Sequence, residues 1–227
     1  MTSLSVVIPA RLDSTRVPRK ALQLIEGLPI VEHVRRRAVE AEVGPVFVAT
    51  DSPEIAAAIR SFGGQVIETG PELNGTRRVA RAALSIRAEV LLNIQGDQPR
   101  LDPEHVRLLA AAMDGAQIAT LASPLSGCDR GDPSRVKVRV ERGWAVDFSR
   151  SWREGMGHLH LGLYGFTREA LLRVTSGPIS ARARAEGLEQ LTWLERGSAI
   201  RVVTVGASAP AVDTWAQLSA LRATSGG

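Results

Sequence analysis

A chain of 227 residues, 44% apolar and only 4% aromatic, is long enough for one domain whose core is built from Leu, Val, Ile and Ala. Its net charge of +4 could suggest nucleic acid, but the arginines are spread over helix faces (Arg35-Arg36-Arg37, Arg107, Arg168) with no aromatic interleaving, so no nucleic-acid partner is expected. Cys128 is the single cysteine, which excludes an internal disulfide and suits a reducing cytoplasm, and no apolar run is long enough to span a bilayer.

Ser5-Val6-Val7-Ile8 opens a β-branched strand over 4–9. It runs into Pro9-Ala10-Arg11-Leu12-Asp13-Ser14-Thr15-Arg16, then Pro18, Arg19 and Lys20. Further strands are expected over 45–50, 65–68, 89–95 and 117–122, with helices over 30–42, 53–62, 76–86 and 102–113. Gly63-Gly64 ends the second helix. Continuous apolar strands alternating with amphipathic helices imply an α/β domain with a mostly parallel sheet covered on both faces. Beyond residue 124 the rhythm changes. Val136–Val140, Ala145–Phe148 and His158–Phe166 read as strands joined by turns at Arg142-Gly143 and near Gly155-Met156-Gly157, an antiparallel insertion over 124–166 within a single domain, 1–227. Helices over 167–175 and 185–196, a strand over 199–205 and a helix over 214–223 complete the chain.

In such sheets ligands sit beyond the carboxyl ends of the strands. The loop after the first strand carries Arg11, Ser14, Thr15, Arg16 and Lys20, the hydroxyls and cations that a nucleoside triphosphate requires. Only two of the 28 basic residues are lysines, Lys20 and Lys137, which singles out Lys20 as a candidate catalytic residue. Asp97, in Gln95-Gly96-Asp97, and Asp213, in Val212-Asp213-Thr214, could share Mg²⁺ with triphosphate oxygens, or each could merely cap the helix after it. Gly96 suggests a close backbone approach to a ligand. Asn74-Gly75-Thr76 is a turn and helix cap that could also meet an anion or a base edge. His158 and His160 share one face of a strand without a third ligand at metal spacing, so a packed or substrate-binding histidine is expected. Neither Gly-x-Gly-x-x-Gly nor Gly-x4-Gly-Lys-Ser/Thr occurs, which argues against dinucleotide oxidoreductases and P-loop NTPases.

Taken in order, these segments resemble the 3-deoxy-manno-octulosonate (KDO) cytidylyltransferases, the CMP-KDO synthetases. The resemblance rests on Ile8-Pro9-Ala10-Arg11, Ser14-Thr15-Arg16, Pro18, Lys20, Val48-Ala49-Thr50-Asp51, Gly75-Thr76, Arg78, Gln95-Gly96-Asp97 and Pro99. It continues through Pro133 to Val138, Phe148-Ser149-Arg150, His160-Leu161-Gly162, Tyr164-Gly165, Leu188-Glu189-Gln190-Leu191 and Val212-Asp213-Thr214. It implies a Rossmann-like, GT-A-like nucleotidyltransferase sandwich and a cytoplasmic homodimer paired through the insertion. It also implies transfer of CMP from CTP to an acceptor oxygen with loss of pyrophosphate. By position, Asp97 and Asp213 would hold Mg²⁺, while Arg11, Arg16 and Lys20 would clamp the triphosphate. Pro9, Ala10, Asn74, Gly75 and Thr76 would border the cytosine; Arg78, Gln95, His160, Glu186 and Glu189 would face the acceptor.

The chain departs from the family where the acceptor is concerned. Arg77 and Gln98 replace glutamates, Arg19 replaces a glycine, and Ala181-Arg182-Ala183-Arg184 stands for Pro-Leu-Glu-His. Leu159 replaces an arginine, and the loop between Arg150 and His158 is shorter. Fewer carboxylates for sugar hydroxyls and more guanidiniums, Arg77 and Arg184 among them, favour a small, strongly anionic acceptor such as phosphonoformate. KDO with incidental arginines is the alternative. A non-catalytic nucleotide-binding regulator and a UTP-dependent relative are two further possibilities.

Overall fold

Six of the seven residues of β1 (Leu4–Ala10) are buried, as a strand covered on both faces must be. The computed structural model describes residues 3–206 and 211–224, the Cys128 side chain excepted. Two compact units emerge, Met1–Arg107 with Ala209–Gly227, and Leu108–Ser208.

After β1 the first unit forms a short hairpin, β2 (Leu24–Ile25) and β3 (Leu28–Pro29), then α1 (Ile30–Val39), β4 (Val46–Thr50), α2 (Pro53–Ser61), β5 (Gln65–Glu68), α3 (Gly75–Ala83) and β6 (Val90–Asn93). β1 pairs parallel with both β4 and β6, and β5 pairs parallel with β4. These strands and helices fall where the apolar periodicity predicts them. The hairpin is unanticipated. Glu26 and Gly27 both take positive φ (50° and 78°), the turn that matches strand twist in two-residue hairpins. α1 stops short of its predicted end because the chain turns at Glu42, also at positive φ (55°).

α4 (Pro103–Ala112) leads into the second unit, which holds β7 (Ile118–Pro124), α5 (Gly127–Gly131), β8 (Lys137–Glu141), β9 (Trp144–Ser149), β10 (His158–Thr167), α6 (Arg168–Thr175), α7 (Ala181–Glu186), α8 (Gln190–Glu195) and β11 (Arg201–Thr204). Here the expectation needs correcting. β7, read as one more strand of the parallel series, runs antiparallel to β10 and parallel to β11. Antiparallel pairing therefore begins at Ile118, because β10 returns along β7 after the β8–β9 hairpin. The predicted helix over 185–196 is two helices, since Gly187 takes the left-handed conformation (φ 63°) and closes α7. α9 (Trp215–Thr224) belongs to the first unit.

Candidate active site

Parallel strands present their carboxyl ends along one edge, and the loop after β1 opens there into a cleft of about 300 Å³. All the residues lining it come from the first unit: Pro9–Arg11, Asp13–Arg16 and Lys20-Ala21 from the first loop, Glu72–Gly75 and Arg78 around the start of α3, Gln95–Asp97 after β6, and Asp213 before α9.

A buried anchor holds the first loop. Val17, between Arg16 and Lys20, packs in a cluster with Ile25, Ile30, Val212, Leu218 and Leu221. The loop is thus pinned to the segment that carries Asp213. The backbone N–H of Val212 also donates to the carbonyl of Asp97 (2.8 Å), joining the two acidic segments directly. Charge then converges in the cleft. Lys20 Nζ donates to Asp97 Oδ2 (2.7 Å) and Asp213 Oδ1 (3.4 Å), and Arg16 Nη2 donates to Asp213 Oδ1 (3.0 Å). Arg11 is exposed on the same loop.

Neither aspartate caps a helix. Asp102 accepts the N–H of Glu104 at the start of α4, and Thr214 with Gln217 caps α9. Both carboxylates are therefore spared for the cleft. Gly96 has a different reason from the expected one: a Cβ there would lie 3.1 Å from the Pro9 carbonyl, so the close approach is to the end of β1.

Asn74 accepts the N–H of Arg77 as the cap of α3 and also lines the cleft beside Gly75. Thr76 does not line it. That residue is buried, with its hydroxyl accepting from Asn93 Nδ2 (3.3 Å), and Gln95 Nε2 donates to Asn93 Oδ1 (3.4 Å). Arg78 reaches the cleft while holding Asp51 Oδ2 (2.8 Å) and Thr69 Oγ1 (2.6 Å) across the ends of β4 and β5. Arg77 does not line the cleft.

The remaining acceptor candidates lie in the second unit, and none lines the cleft. His160 contacts the rings of Phe148 and Tyr164, with Nε2 3.0 Å from Thr120 Oγ1; loss of solvation pushes the imidazole down to about 3. Burial, then the nearby Glu189 carboxylate, raises the Tyr164 phenol well above its ordinary value. Glu186 accepts from the Arg150 N–H (3.1 Å) and from Arg153 Nη2 (3.2 Å). Arg184 Nη2 donates to the Ile179 carbonyl (3.1 Å). Two more of the arginines that suggested a small anionic acceptor are likewise engaged within the protein: Arg19 grips Glu54, and Arg182 bonds Asp147 (2.5 Å).

The sequence reading passed over Glu72 and Leu73 as lining residues, and Gln217 altogether. Thr214-x-x-Gln217 is a capping-box pattern, and that signal was available.

Comparison with known proteins adds a separate line of observation. A family model described as cytidylyltransferase matches residues 5–200. A 3-deoxy-manno-octulosonate cytidylyltransferase of Parvibaculum lavamentivorans is 43% identical over 96% of this chain and 91% of its own length. One from Escherichia coli is 38% identical over 98% and 96%. Among solved structures, that of CMP:2-keto-3-deoxy-manno-octonic acid synthetase complexed with CTP superposes with a TM-score of 0.92 at 36% identity, covering 98% of both chains. A Methanothermobacter nucleotidyl transferase shares the fold (TM-score 0.63, 18% identity, 98% of this chain and 97% of that one).

Proposed function

The chain belongs to the 3-deoxy-manno-octulosonate cytidylyltransferase family, and on that premise we propose that it transfers CMP from CTP to KDO or a closely related sugar acid. Membership of this enzyme family removes the non-catalytic regulator from consideration. The observation that carries the reading is the convergence of Arg11, Arg16 and Lys20 with Asp97 and Asp213 in one cleft at the ends of parallel strands. KDO is preferred to a small phosphonate for two reasons. The relatives carry its name at about 40% identity along nearly the whole chain, and three of the arginines that favoured a phosphonate, Arg19, Arg182 and Arg184, already hold Glu54, Asp147 and the Ile179 carbonyl.

In this reading the acceptor hydroxyl oxygen bonds to the α-phosphorus, the bond to the β-phosphate oxygen breaks, pyrophosphate leaves and the hydroxyl proton is released. Arg11, Arg16 and Lys20 would face the triphosphate, where preplaced cations stabilise charge that grows in the transition state. Pro9, Ala10, Asn74 and Gly75 would border the base, and Gln95 and Arg78 would meet the acceptor. Asp97 and Asp213 are hard oxygen donors that one ammonium already brings together, a donor set that fits Mg²⁺ with phosphate and water oxygens completing its shell. When bound, such an ion supplies charge neutralisation to the phosphates.

A homodimer is part of the proposal. Trp144 and Val146, exposed on one face of β9, leave an apolar strip that a second copy would cover. Among the described residues no helix is long and apolar enough to cross a membrane.

The test is pyrophosphate release with CTP and Mg²⁺ against KDO, sialic-type acids and small phosphonates. KDO turnover that disappears in Asp97→Ala supports the reading; turnover of a phosphonate in preference to KDO overturns the choice of acceptor.

A further inference from the structure

Asp213 stands two residues before the start of α9, next to Thr214, whose hydroxyl caps the helix. Gln217 ties down the backbone between them. Gln217 Oε1 accepts both the Asp213 N–H (2.7 Å) and the Thr214 N–H (2.9 Å), while Gln217's own N–H donates to Thr214 Oγ1 (3.3 Å). The N–H groups of Asp213, Thr214 and Gln217 are thereby met without the Asp213 carboxylate, which extends to Arg16 and Lys20.

We propose that Gln217 is a positioning residue that keeps Asp213 in the cleft by accepting the backbone N–H groups beside it. The competition is local and physical. With an apolar side chain at 217, the N–H groups of Asp213 and Thr214 lose their acceptor, and the Asp213 carboxylate can turn to the Thr214 N–H, as Asp147 accepts from the N–H of Phe148 (2.9 Å). Short acidic side chains readily bond nearby backbone N–H groups, and the helix end favours negative charge. Each time the carboxylate swings to the helix, the cleft loses one of its two acidic groups. The assignment rests on the functional reading only in what the cleft binds; the exchange of N–H partners itself does not depend on it.

A stability cycle tests the exchange with Gln217→Leu, Asp213→Ala and the double variant, each melted without ligands. Asp213→Ala is expected to cost about 2–4 °C more in the Gln217→Leu background than in wild type, because only there does the Asp213 carboxylate bond a backbone N–H. An equal cost in both backgrounds overturns the proposal. Mn²⁺ binding followed by electron paramagnetic resonance, with CTP present, reads the consequence. Gln217→Leu is expected to bind about tenfold more weakly, and Gln217→Glu, which keeps an acceptor, to bind like wild type. Unchanged Mn²⁺ affinity in Gln217→Leu also overturns the proposal. Failure of the wild-type protein to bind Mn²⁺ with CTP refutes the functional reading, and the stability cycle then decides the role of Gln217 alone.

Discussion

The two lysines of the chain mark two ways of holding a charge. Lys20, in the first unit, is partly exposed at the cleft, and its ammonium is shared between two carboxylates. Lys137, in the second, is fully buried in β8 and donates to the carbonyls of Asp132 (2.5 Å) and Arg150 (2.8 Å). Burial holds its pKa below the ordinary lysine value. A cation shared among solvent-reachable carboxylates can be redistributed when an anionic ligand arrives. One satisfied by backbone carbonyls cannot move without leaving those carbonyls unmet. The same contrast runs through both units. The first gathers charged side chains around open space, whereas the second engages His160, Lys137 and Glu186 internally.

The largest effect should come from breaking the first arrangement. Lys20→Met is expected to lower kcat by about 10²–10³-fold, as loss of one preplaced charge stabiliser does. Its melting temperature should move little, since a partly exposed ion pair contributes about 1 kcal/mol or less. A large drop in stability with kcat preserved would invert the comparison. Lys137→Ala should behave in the opposite way, losing about 1–3 kcal/mol in urea titration because two buried carbonyls lose their donor, with kcat of the folded protein near wild type.

The third prediction concerns pH. The folded-state pKa of His160 lies at about 3, below the 6.5 of a free imidazole. Between those values the unfolded chain binds a proton that the folded one does not, so stability falls as pH is lowered through that window. Urea midpoints between pH 6.5 and 5 isolate the effect, because the lowered carboxylates Glu32, Asp129 and Asp132 titrate at lower pH. His160→Gln should flatten the slope, and an unchanged slope would show that His160 does not carry it. The smallest effect is expected from Tyr164→Phe. The Tyr164 hydroxyl is buried with no hydrogen-bond partner among the described residues, so removing it should change stability by less than about 1 kcal/mol or raise it slightly. A clear destabilisation would reveal a partner for that hydroxyl.

Much of this was readable in the chain. Continuous apolar runs and period-3.6 apolar patterns placed β1, β4, β5, β6 and the helices between them, because a strand covered on both faces is apolar throughout and a helix buries one face. Arg11, Arg16, Lys20, Asp97 and Asp213 also stood out, as charged residues just beyond predicted strands or before a helix. The relatives favour the sugar-acid alternative over the small-acceptor expectation, and the arginines that suggested the latter are instructive. Composition counts arginines but does not pair them, and Arg19, Arg182 and Arg184 proved to have partners up to 35 residues away in the chain.

By itself, then, the sequence determined the α/β class, the parallel character of the first unit's main strands and the cleft's charged loop, since these follow from local periodicity and from residue types at strand ends. Tertiary structure alone decided that β7 lies antiparallel to β10, that Gly96 makes room for the Pro9 carbonyl, that Thr76 is buried and that Asp213 is free of capping duty. Each of those outcomes depends on which distant group arrives first at a given donor, acceptor or gap, and that competition is settled only when the chain has packed.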